Sequence, residues 1–383
     1  MTTYSNILIK SNKELNLFKE SVNNTSLIAI DTEFTRKITY FAKLSLLQIS
    51  TKPNVAFMLD YLETPELANE VLDIIYDSNA VKVFHAAKND LEIFYNLKEE
   101  LPTNIFDTQI AFMAISPLNN ISYAALIKTI LNQQLNKNET LSDWNQRPLT
   151  SSQIEYAALD VIMLYKAYFP LYAELKKQNR LEFITEKLNT LTDYSNYSFN
   201  LEKALERYLV NYNITGSYAL LAAILDWREE AAKNHNIPRQ HLLSDSNIKD
   251  VVNNPKSINK LLHKNKFLTL EAWQHLLDLA KNKFTYLNEL FAQKSTLVKH
   301  TLLDISYYLL EFISNTFSIN KDLICTKAEI NQFLHYNSSL DTKNKIPKTF
   351  LVPWRYDIFT KKLQLLLDGK TCLVINNGKI EFK

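Results

Sequence analysis

The sequence predicts an α/β domain with a mixed sheet, followed by an all-α region and a short C-terminal β-hairpin. In the first half, apolar strand-like runs alternate with helical periodicity. From about residue 200 the pattern becomes almost wholly helical, and two β-rich runs flank Asn377-Gly378 near the end. Because the chain has 383 residues, we expect two or three domains.

Four strands are predicted in the first half because each is a short apolar run rich in strand formers: SLIAIDTEF, AKLSLLQIST, NVAFMLD and AVKVFHAA. Three of them follow one another before helices and strands alternate, which predicts a mixed sheet. The predicted helices are PELANEVLDIIYDS, KNDLEIFYNLKEE, SYAALIKTILNQQL and a long one from Ser151 to about 178. Ser152 and Glu155 form a candidate capping box for the long helix.

The second half contains a predicted amphipathic helix, SYALLAAILDWREEAAKNHN, which ends at Ile237-Pro238. A further long helix, STLVKHTLLDISYYLLEFISNTFSI, begins the last segment. The predicted organisation is one α/β domain in 1–180, a linker in 181–205, a helical domain in 206–292 and a C-terminal domain in 293–383.

Composition limits the classes of protein to which the chain can belong. It is 46% hydrophobic and 22% charged, the profile of an ordinary globular protein. Cys325 and Cys372 form neither a CxxC pair nor a disulfide framework, and no signal peptide or membrane-spanning run is visible. We therefore expect a cytoplasmic protein without a membrane partner, and a monomer by default.

Charge and glycine content narrow the expected ligands. The net charge is +2, but the first 190 residues carry −4 and the rest carry +6. The acidic first part could bind divalent cations, and the basic remainder could bind a polyanion. A mildly basic, solvated surface would also explain the charge of +6. With 3 glycines and no Gly-rich phosphate loop, we expect no nucleotide triphosphate as a ligand.

Asp31 and Glu33 are the first two candidate site residues. They are two apart on a predicted strand, so both carboxylates face the same way. A lone D-x-E is usually solvated or salt-bridged, but these acids interrupt an apolar strand that should be buried. Clustered carboxylates repel one another unless a cation neutralises them, and hard oxygen ligands favour Mg²⁺ or Mn²⁺.

Three further candidates follow along the chain. Asp90 comes just after a predicted strand and begins a helix, where the helix dipole alone would favour a carboxylate. Tyr156 and Asp160 are four apart, hence on one helical face. Asp160 lies in the apolar stretch AALDVIML, so it needs a partner, either a metal or an arginine. Asp107 in FDTQ is predicted to be a helix cap.

These residues, with HAAKNDLEIF, IFDTQIA and LSDWNQRPLTSSQIEYAALDV, resemble the ribonuclease D family, in the tyrosine-containing branch of the DEDD exonuclease superfamily. The resemblance covers most of residues 1–180. The stretch LAAILDWREEAAKNHNIPRQHLLSD resembles the helical HRDC domain of that family, over roughly 200–292. The last segment is similar to the divergent, HRDC-like C-terminal region of some members.

The resemblance implies a ribonuclease H-like fold and a 3′→5′ exoribonuclease that uses two divalent cations, Mg²⁺ or Mn²⁺. Asp31 would bridge both ions, Glu33 and Asp160 would complete the first site, and Asp90 would hold the second. Tyr156 would position the attacking water. The implied reaction trims 3′ ends of tRNA precursors or other small structured RNAs and releases nucleoside 5′-monophosphates.

Several residues are candidate RNA contacts, each with an ordinary alternative. Phe34 could stack on a base or belong to the core, and His85 could line the site or be a hydrogen-bonded strand-end histidine. Lys88 could contact substrate or be merely exposed, and Arg147 could bind a phosphate or brace a loop. The densest basic cluster, either an RNA-binding surface or a solvated face, comprises Lys256, Lys260, Lys264 and Lys266.

Three alternatives to this function remain open from the sequence. A DNA 3′→5′ exonuclease of the same superfamily would carry the same acids, because these motifs do not distinguish ribose from deoxyribose. A non-catalytic RNA-binding scaffold would keep the fold without metal binding. Finally, the helical domains could serve mainly as surfaces for protein contacts.

Overall fold

The computed structural model describes residues 4–118, 120–135, 138–263, 267–288, 300–338, 346–377 and 379–382. The strands are β1 (Ser5–Leu8), β2 (Leu27–Thr35), β3 (Lys43–Lys52), β4 (Val55–Asp60), β5 (Val81–Phe84), β6 (Ile105–Asp107), β7 (Leu373–Asn376) and β8 (Lys379–Phe382).

The α-helices of the first half and of the middle segment are α1 (Asn12–Asn23), α2 (Pro65–Asp77), α3 (Lys88–Lys98), α4 (Thr108–Met113), α5 (Tyr123–Leu131), α6 (Ser151–Lys177), α7 (Leu181–Leu191), α8 (Leu201–Asn211), α9 (Tyr218–His235), α10 (Arg239–Leu242), α11 (Asp245–Asn253), α12 (Asn259–Leu262) and α13 (Leu270–Asn282). Those of the last segment are α14 (His300–Phe317), α15 (Lys321–Ile324), α16 (Lys327–Ser338), α17 (Pro353–Arg355) and α18 (Lys361–Leu367).

The first six strands form one mixed sheet in the order β1-β4-β3-β2-β5-β6. β3 runs antiparallel to both of its neighbours, whereas the pairs β1–β4, β2–β5 and β5–β6 are parallel. The mixed sheet and its four predicted strands are confirmed. Neither β1 nor β6 is predicted from the sequence, because runs of four and three residues are too short to show a period of two.

The two faces of this sheet pack against different helices. On one face, Ile28 and Ile30 of β2 join a large core to which α1, α2 and α3 contribute. On the other face, Val161 of α6 packs with Leu46 of β3 and Met58 of β4. Since α6 lies over the central strands, any polar side chain on its inner face is brought onto β2 and β3.

Helices α8 to α13 enclose a separate hydrophobic core, whose members lie between Leu205 and Leu287. The helix α9 ends as predicted before Ile237-Pro238, with Asn236 in the left-handed region at φ 49°. A Cβ on Gly216, just before α9, would lie 1.9 Å from the carbonyl oxygen of Val252. A glycine is therefore required for the close approach of these two backbone segments.

The last segment packs on the sheet domain rather than on the separate helical core. Buried residues of α14 to α18 share one hydrophobic core with the sheet. Phe183 of α7 stacks on Trp354 with 4.2 Å between ring centroids. The Arg180 guanidinium donates to the carbonyl oxygens of Ala114 and Phe317, both at 2.7 Å. Helix α7 thus lies within 181–205, the range for which the sequence predicts a linker.

A single residue adds two long-range hydrogen bonds to this packing. The backbone N–H of Asn320 donates to the carbonyl oxygen of Met113, and its side-chain amide donates to that of Leu118, each at 2.7 Å. These bonds join the segment after α14 to the end of α4. The domain boundaries given above stay a prediction.

The last two strands, β7 and β8, pair antiparallel, which confirms the predicted hairpin. Asn377 in its turn has φ 49°, as a tight hairpin requires, and Gly378 lies outside the described residues. Within the described ranges, no helix combines the length and the apolar character needed to cross a membrane.

Candidate active site

The strand β2 supplies the first two acids of the site. Asp31 and Glu33 project from the same side of the sheet because side chains alternate along a strand. Pairing with β3 places Asp31 opposite Gln48 and Glu33 opposite Leu46. The register then shifts between Glu33 and Phe34, so regular pairing is interrupted immediately after the second acid.

The helix α6 brings a third carboxylate to this pair. Asp31, Glu33 and Asp160 each offer a carboxylate oxygen, and these atoms lie within 4.8 Å of one another. Tyr156 precedes Asp160 by one helical turn and lines the same cavity. The hydroxyl of Tyr123 donates to the main-chain oxygen of Asp160, which fixes α6 at this point.

The start of α6 is set by a capping box, one turn or more before the site residues. Thr150 Oγ1 accepts from the backbone N–H of Gln153 at 3.1 Å, and the Gln153 side chain accepts from the Thr150 N–H at 2.9 Å. The predicted Ser152–Glu155 box is wrong, because Ser152 lies inside the helix and donates to Glu139 at 2.7 Å.

Asp90 lies in the first turn of α3 and is 6% exposed. Thr32 Oγ1 donates to Asp90 Oδ1 at 2.5 Å. Since Thr32 stands between Asp31 and Glu33 on β2, this bond ties α3 to the strand that carries both acids. The structure therefore brings all four predicted acids into one neighbourhood, with Asp90 at its side.

The cluster is electrostatically costly without a cation. Burial raises the pKa of Asp31 to about 6. Burial and the charges of Asp31, Asp160 and Asp90 raise the pKa of Glu33 to about 9. Burial, and then the charge of Asp31, hold the pKa values of Asp90 and Asp160 well above the usual range. Across the described ranges, none of the four acids forms an ion pair with a basic side chain.

The donor set fits divalent cations. Four carboxylates offer hard oxygen ligands, which suit Mg²⁺ or Mn²⁺ better than Zn²⁺. Gln48, opposite Asp31, is fully buried, yet its Nε2 and Oε1 have no hydrogen-bond partner in the described part of the chain. Because buried amides normally have partners, the surroundings of Asp31 offer unused polar groups as well as unneutralised charge.

A cavity of about 220 Å³ lies beside the acids. Tyr156 lines this cavity. The centroid of its ring lies 6.0 Å from that of Trp144, and its hydroxyl lies 3.4 Å from Thr140 Oγ1. Burial, and then the charge of Asp160, raise the pKa of Tyr156. The hydroxyl therefore stays protonated at neutral pH and can donate a hydrogen bond.

His85 lines the same cavity and is also hydrogen-bonded within the protein. Its Nδ1 lies 3.0 Å from Thr108 Oγ1, and its ring lies 5.3 Å from that of Tyr123. Burial lowers the pKa of His85, so its imidazole is neutral near pH 7. Phe34, half-buried just beyond the bulge, packs against the main core.

Asp107 is a helix cap, as predicted. Its carboxylate accepts the backbone N–H groups of Gln109 and Ile110 at the start of α4, at 2.8 and 3.2 Å. It also accepts those of Ala86 and Ala87, at 3.2 and 2.8 Å. Ala86 has φ 58°, an unfavourable value for alanine, and these bonds hold the turn that leads into α3 and Asp90.

The remaining candidate contacts lie apart from the acids. Arg147 is ion-paired to Asp60, with Nε 2.6 Å from Oδ2, and also donates to the carbonyl oxygen of Ser45 at 3.1 Å. Its contacts are thus those of a residue that braces a loop. Lys88 is exposed at the first position of α3 and lines a second cavity, described below.

The basic cluster lies in the helical region and is only partly described. Lys256 and Lys260 are exposed on the segment Pro255–Leu262. Neither of them lines the acidic cavity. Lys264 and Lys266 lie outside the described residues.

Three residues of the site were not among the predicted ones, namely Thr32, Gln48 and Tyr123. Gln48 carries a signal in the sequence, because it is an amide within the apolar strand LSLLQIS. Thr32 and Tyr123 carry none, since a threonine in a strand and a tyrosine in a helix are ordinary. Their roles depend on which neighbours the fold brings to them.

The chain is similar to a known sequence family and to known proteins. The profile of the 3′-5′ exonuclease family matches residues 6–179. A ribonuclease D of Bartonella henselae is 28% identical over 388 residues, which cover 98% of this chain and 93% of that protein. A ribonuclease D of Nitrobacter hamburgensis is 33% identical over 244 residues, 64% of each chain.

Among solved structures, the crystal structure of Escherichia coli RNase D, described as an exoribonuclease involved in structured RNA processing, has a similar fold. Its TM-score is 0.73 at 23% identity, over 96% of this chain and 99% of that one. A protein from Bifidobacterium adolescentis has a TM-score of 0.61 at 18% identity, over 95% and 97%. The likeness in fold therefore extends beyond the sheet domain to the helical segments.

Proposed function

This chain belongs to the ribonuclease D family of 3′→5′ exoribonucleases, and from that premise we propose how its acidic cluster acts and on what. The proposal is hydrolysis of the last phosphodiester bond at the 3′ end of an RNA, with release of nucleoside 5′-monophosphates. The observation that carries it is the group of carboxylates from Asp31, Glu33 and Asp160, within 4.8 Å of one another and without a basic partner in the described ranges.

The four acids would hold two divalent cations, Mg²⁺ or Mn²⁺. Asp31 would serve both, Glu33 and Asp160 the first, and Asp90 the second. Such ions, when bound, stabilise the attacking and leaving oxygens of an in-line displacement. The residues themselves supply the negative charge that binds the ions, and Thr32 orients Asp90 by its hydrogen bond.

Tyr156 would orient the attacking water. Tyr156 lines the cavity that Asp31, Glu33 and Asp160 also line, and its hydroxyl is protonated while its ring packs near Trp144. A donor held in this way can fix one lone pair of a water molecule and direct the other towards phosphorus. His85 lines the same cavity in a neutral state and is proposed to contact the terminal nucleotide.

The proposed substrates are 3′ ends of tRNA precursors or other small structured RNAs. The relatives that cover nearly the whole chain are ribonucleases D, which favours RNA over DNA. The helical residues 206–292, proposed to be an HRDC domain, and a divergent HRDC-like domain in 293–383 would hold the RNA. Cys325 and Cys372 are both free thiols, which supports a reducing cytoplasm.

A time course on 5′-labelled tRNA with extra 3′ nucleotides tests this function, beside matched single-stranded DNA. Stepwise 3′ shortening of RNA that requires Mg²⁺ or Mn²⁺, stops in chelator and disappears in Asp31→Ala is expected. Preferential shortening of DNA would favour a DNA exonuclease instead. RNA binding without shortening of either substrate would show a non-catalytic scaffold.

A further inference from the structure

A second cavity, of about 300 Å³, lies between the sheet domain and the helical region. The start of α3 contributes Lys88 from the sheet domain. The helices α8 and α9 contribute the opposite wall, and residues 195–200 close one side. We call this cavity the interdomain groove.

The groove is lined by five cationic side chains and one acid, Glu229. Two of the cations are neutralised, since Arg228 pairs with Asp245 at 2.7 Å and Arg239 pairs with Glu229. The other three, which are exposed and have no carboxylate within 4 Å in the described part of the chain, are Lys88, Lys203 and Arg207.

The charges of α8 are sorted along its surface. Lys203 and Arg207 are four apart, so they lie on one face, and both line the groove. Glu202 and Glu206 form the adjacent row, are exposed and do not line it. Like charges at this spacing repel one another and destabilise a helix. An anion in the groove would remove that cost.

The other lining groups suit a phosphodiester rather than an acidic protein. Asn196 and Asn200 offer amides, and Asn196 Oδ1 accepts from Lys203 at 3.2 Å, which directs that ammonium across the groove. Phe199, half-buried, offers an aromatic edge. Cations, amides and an aromatic ring are the groups that hold a nucleic-acid strand by its backbone.

The groove adjoins the acidic site through α3. Lys88 is two residues before Asp90, so the same helical turn serves both places. We propose that the interdomain groove binds the phosphodiester backbone of the RNA strand on the 5′ side of the nucleotide being removed. This inference rests on the proposed function and assigns its RNA contacts to Lys88, Lys203 and Arg207 rather than to Lys256 and Lys260.

The groove depends on contacts that hold the two domains together. Glu229 of α9 accepts from the hydroxyl of Tyr40, in the loop after β2, and from Arg239. Asn236 Oδ1 accepts from the Phe41 N–H at 3.1 Å. We call these contacts the interdomain latch. Because the loop follows the strand of Asp31 and Glu33, the latch fixes the groove relative to the acids.

The test compares three full-length double variants in RNA-binding and trimming assays: Lys203→Glu with Arg207→Glu, Lys256→Glu with Lys260→Glu, and a control, Lys249→Glu with Lys281→Glu. Each makes the same change in net charge. Binding of a fluorescent single-stranded RNA is measured by anisotropy in chelator, over a range of salt concentrations. Trimming is measured on a trinucleotide and on a strand of about 16 nucleotides.

The groove variant should bind the long strand on the order of tenfold more weakly, with a slope against log salt reduced by about 1 or more. Its loss of trimming should grow with strand length, because a trinucleotide is too short to extend along the groove. The control should match the wild type. Equal effects in all three variants, or a larger effect at Lys256 and Lys260, would overturn the inference.

Failure of the proposed function would be recognised separately. If the wild type trims neither strand but the groove variant alone weakens RNA binding, the groove stands and the exonuclease assignment fails. If the wild type trims RNA and the groove variant binds and trims like the control, only the groove assignment fails. Circular dichroism of each variant confirms that it folds.

Discussion

At the scale of single residues, the site places carboxylates where burial disfavours their charge. Asp31 and Asp160 lie among apolar neighbours of β2 and α6, where a carboxylate without a partner is unfavourable. The chain carries this cost at several adjacent positions. The folded protein without metal is therefore expected to be less stable than its packing alone would make it.

The stability of the metal-free protein should fall as pH rises. Unfolded carboxyl groups titrate near pH 4, whereas the folded pKa values of Asp31 and Glu33 are about 6 and about 9. Between about pH 4 and about pH 9 the folded state holds more protons than the unfolded state, so each rise in pH lowers the free energy of unfolding. Thermal unfolding in chelator at about pH 5, 7 and 9 measures the fall.

Excess Mg²⁺ should remove most of this fall, because a cation stabilises the deprotonated acids. Glu33→Gln should flatten the profile in chelator, since it removes the group with the raised pKa of about 9. A melting temperature that rises from neutral to alkaline pH in chelator would contradict the prediction.

The substitution Tyr156→Phe should slow RNA trimming and leave the stability of the fold nearly unchanged. The ring and its contact with Trp144 remain, and only the hydroxyl in the cavity is lost. We expect the rate of RNA trimming to fall by about 10²–10⁴-fold, with a change in unfolding free energy of less than about 1 kcal/mol. Tyr172→Phe, on the same helix, is the matched control and should trim at the wild-type rate.

The substitution Gln48→Met should stabilise the folded protein and weaken its activation by Mg²⁺. The buried amide of Gln48 has no partner in the described ranges, and replacing such a group by an apolar one of similar shape gains about 1–3 kcal/mol. Because Gln48 lies opposite Asp31, we expect weaker activation by Mg²⁺. Chemical denaturation and metal titration of trimming measure the two effects. Lost stability with unchanged activation would refute this assignment.

At the scale of elements, the sequence predicts what is long and periodic. The strand β2 and the helix α6 carry their patterns over 9 and 27 residues, so both are predicted, and with them the acids that they position. The strands β1 and β6 are too short for a pattern. The amide of Gln48 is visible in the sequence, but its lack of a partner is not, since that depends on packing under α6.

The start of α6 offers a prediction at this scale. Thr150→Ala removes the side chain that caps the helix, and should lower the unfolding free energy by about 0.5–2 kcal/mol. Ser152→Ala removes a surface bond to Glu139 and should change it by less than about 0.5 kcal/mol. Urea denaturation distinguishes the two, and a larger effect at Ser152 would restore the capping box predicted from the sequence.

At the scale of the whole molecule, the proposed RNA path runs between the sheet domain and the helical region, so it depends on the contacts that hold these two parts together. The interdomain latch centres on Glu229, which is 2% exposed and accepts from both Tyr40 and Arg239. Its contacts join residues that are 189 positions apart in the chain. Sequence patterns do not reveal such a pairing, because each partner is an ordinary polar residue in its own element.

Glu229→Ala should therefore loosen the arrangement of the domains. It leaves the Tyr40 hydroxyl and the Arg239 guanidinium without their shared acceptor. We expect a larger radius of gyration by small-angle X-ray scattering, and trimming of long RNA to decline more than that of a trinucleotide. Lys233→Ala, which removes only an outlying 3.7 Å ion pair to Glu229, is the control. Unchanged scattering would contradict a docking role.

The docking of the last segment on the sheet domain has a consequence for folding during translation. Asn320 closes on Leu118 across 202 residues of chain. At a synthesis rate of about 5–20 residues per second, that partner arrives roughly 10–40 s later. We expect a nascent chain on the ribosome to remain an unfinished nuclease during that interval. A product terminated before residue 300 would lack the buried residues of α14 to α18 that complete the core of the sheet domain.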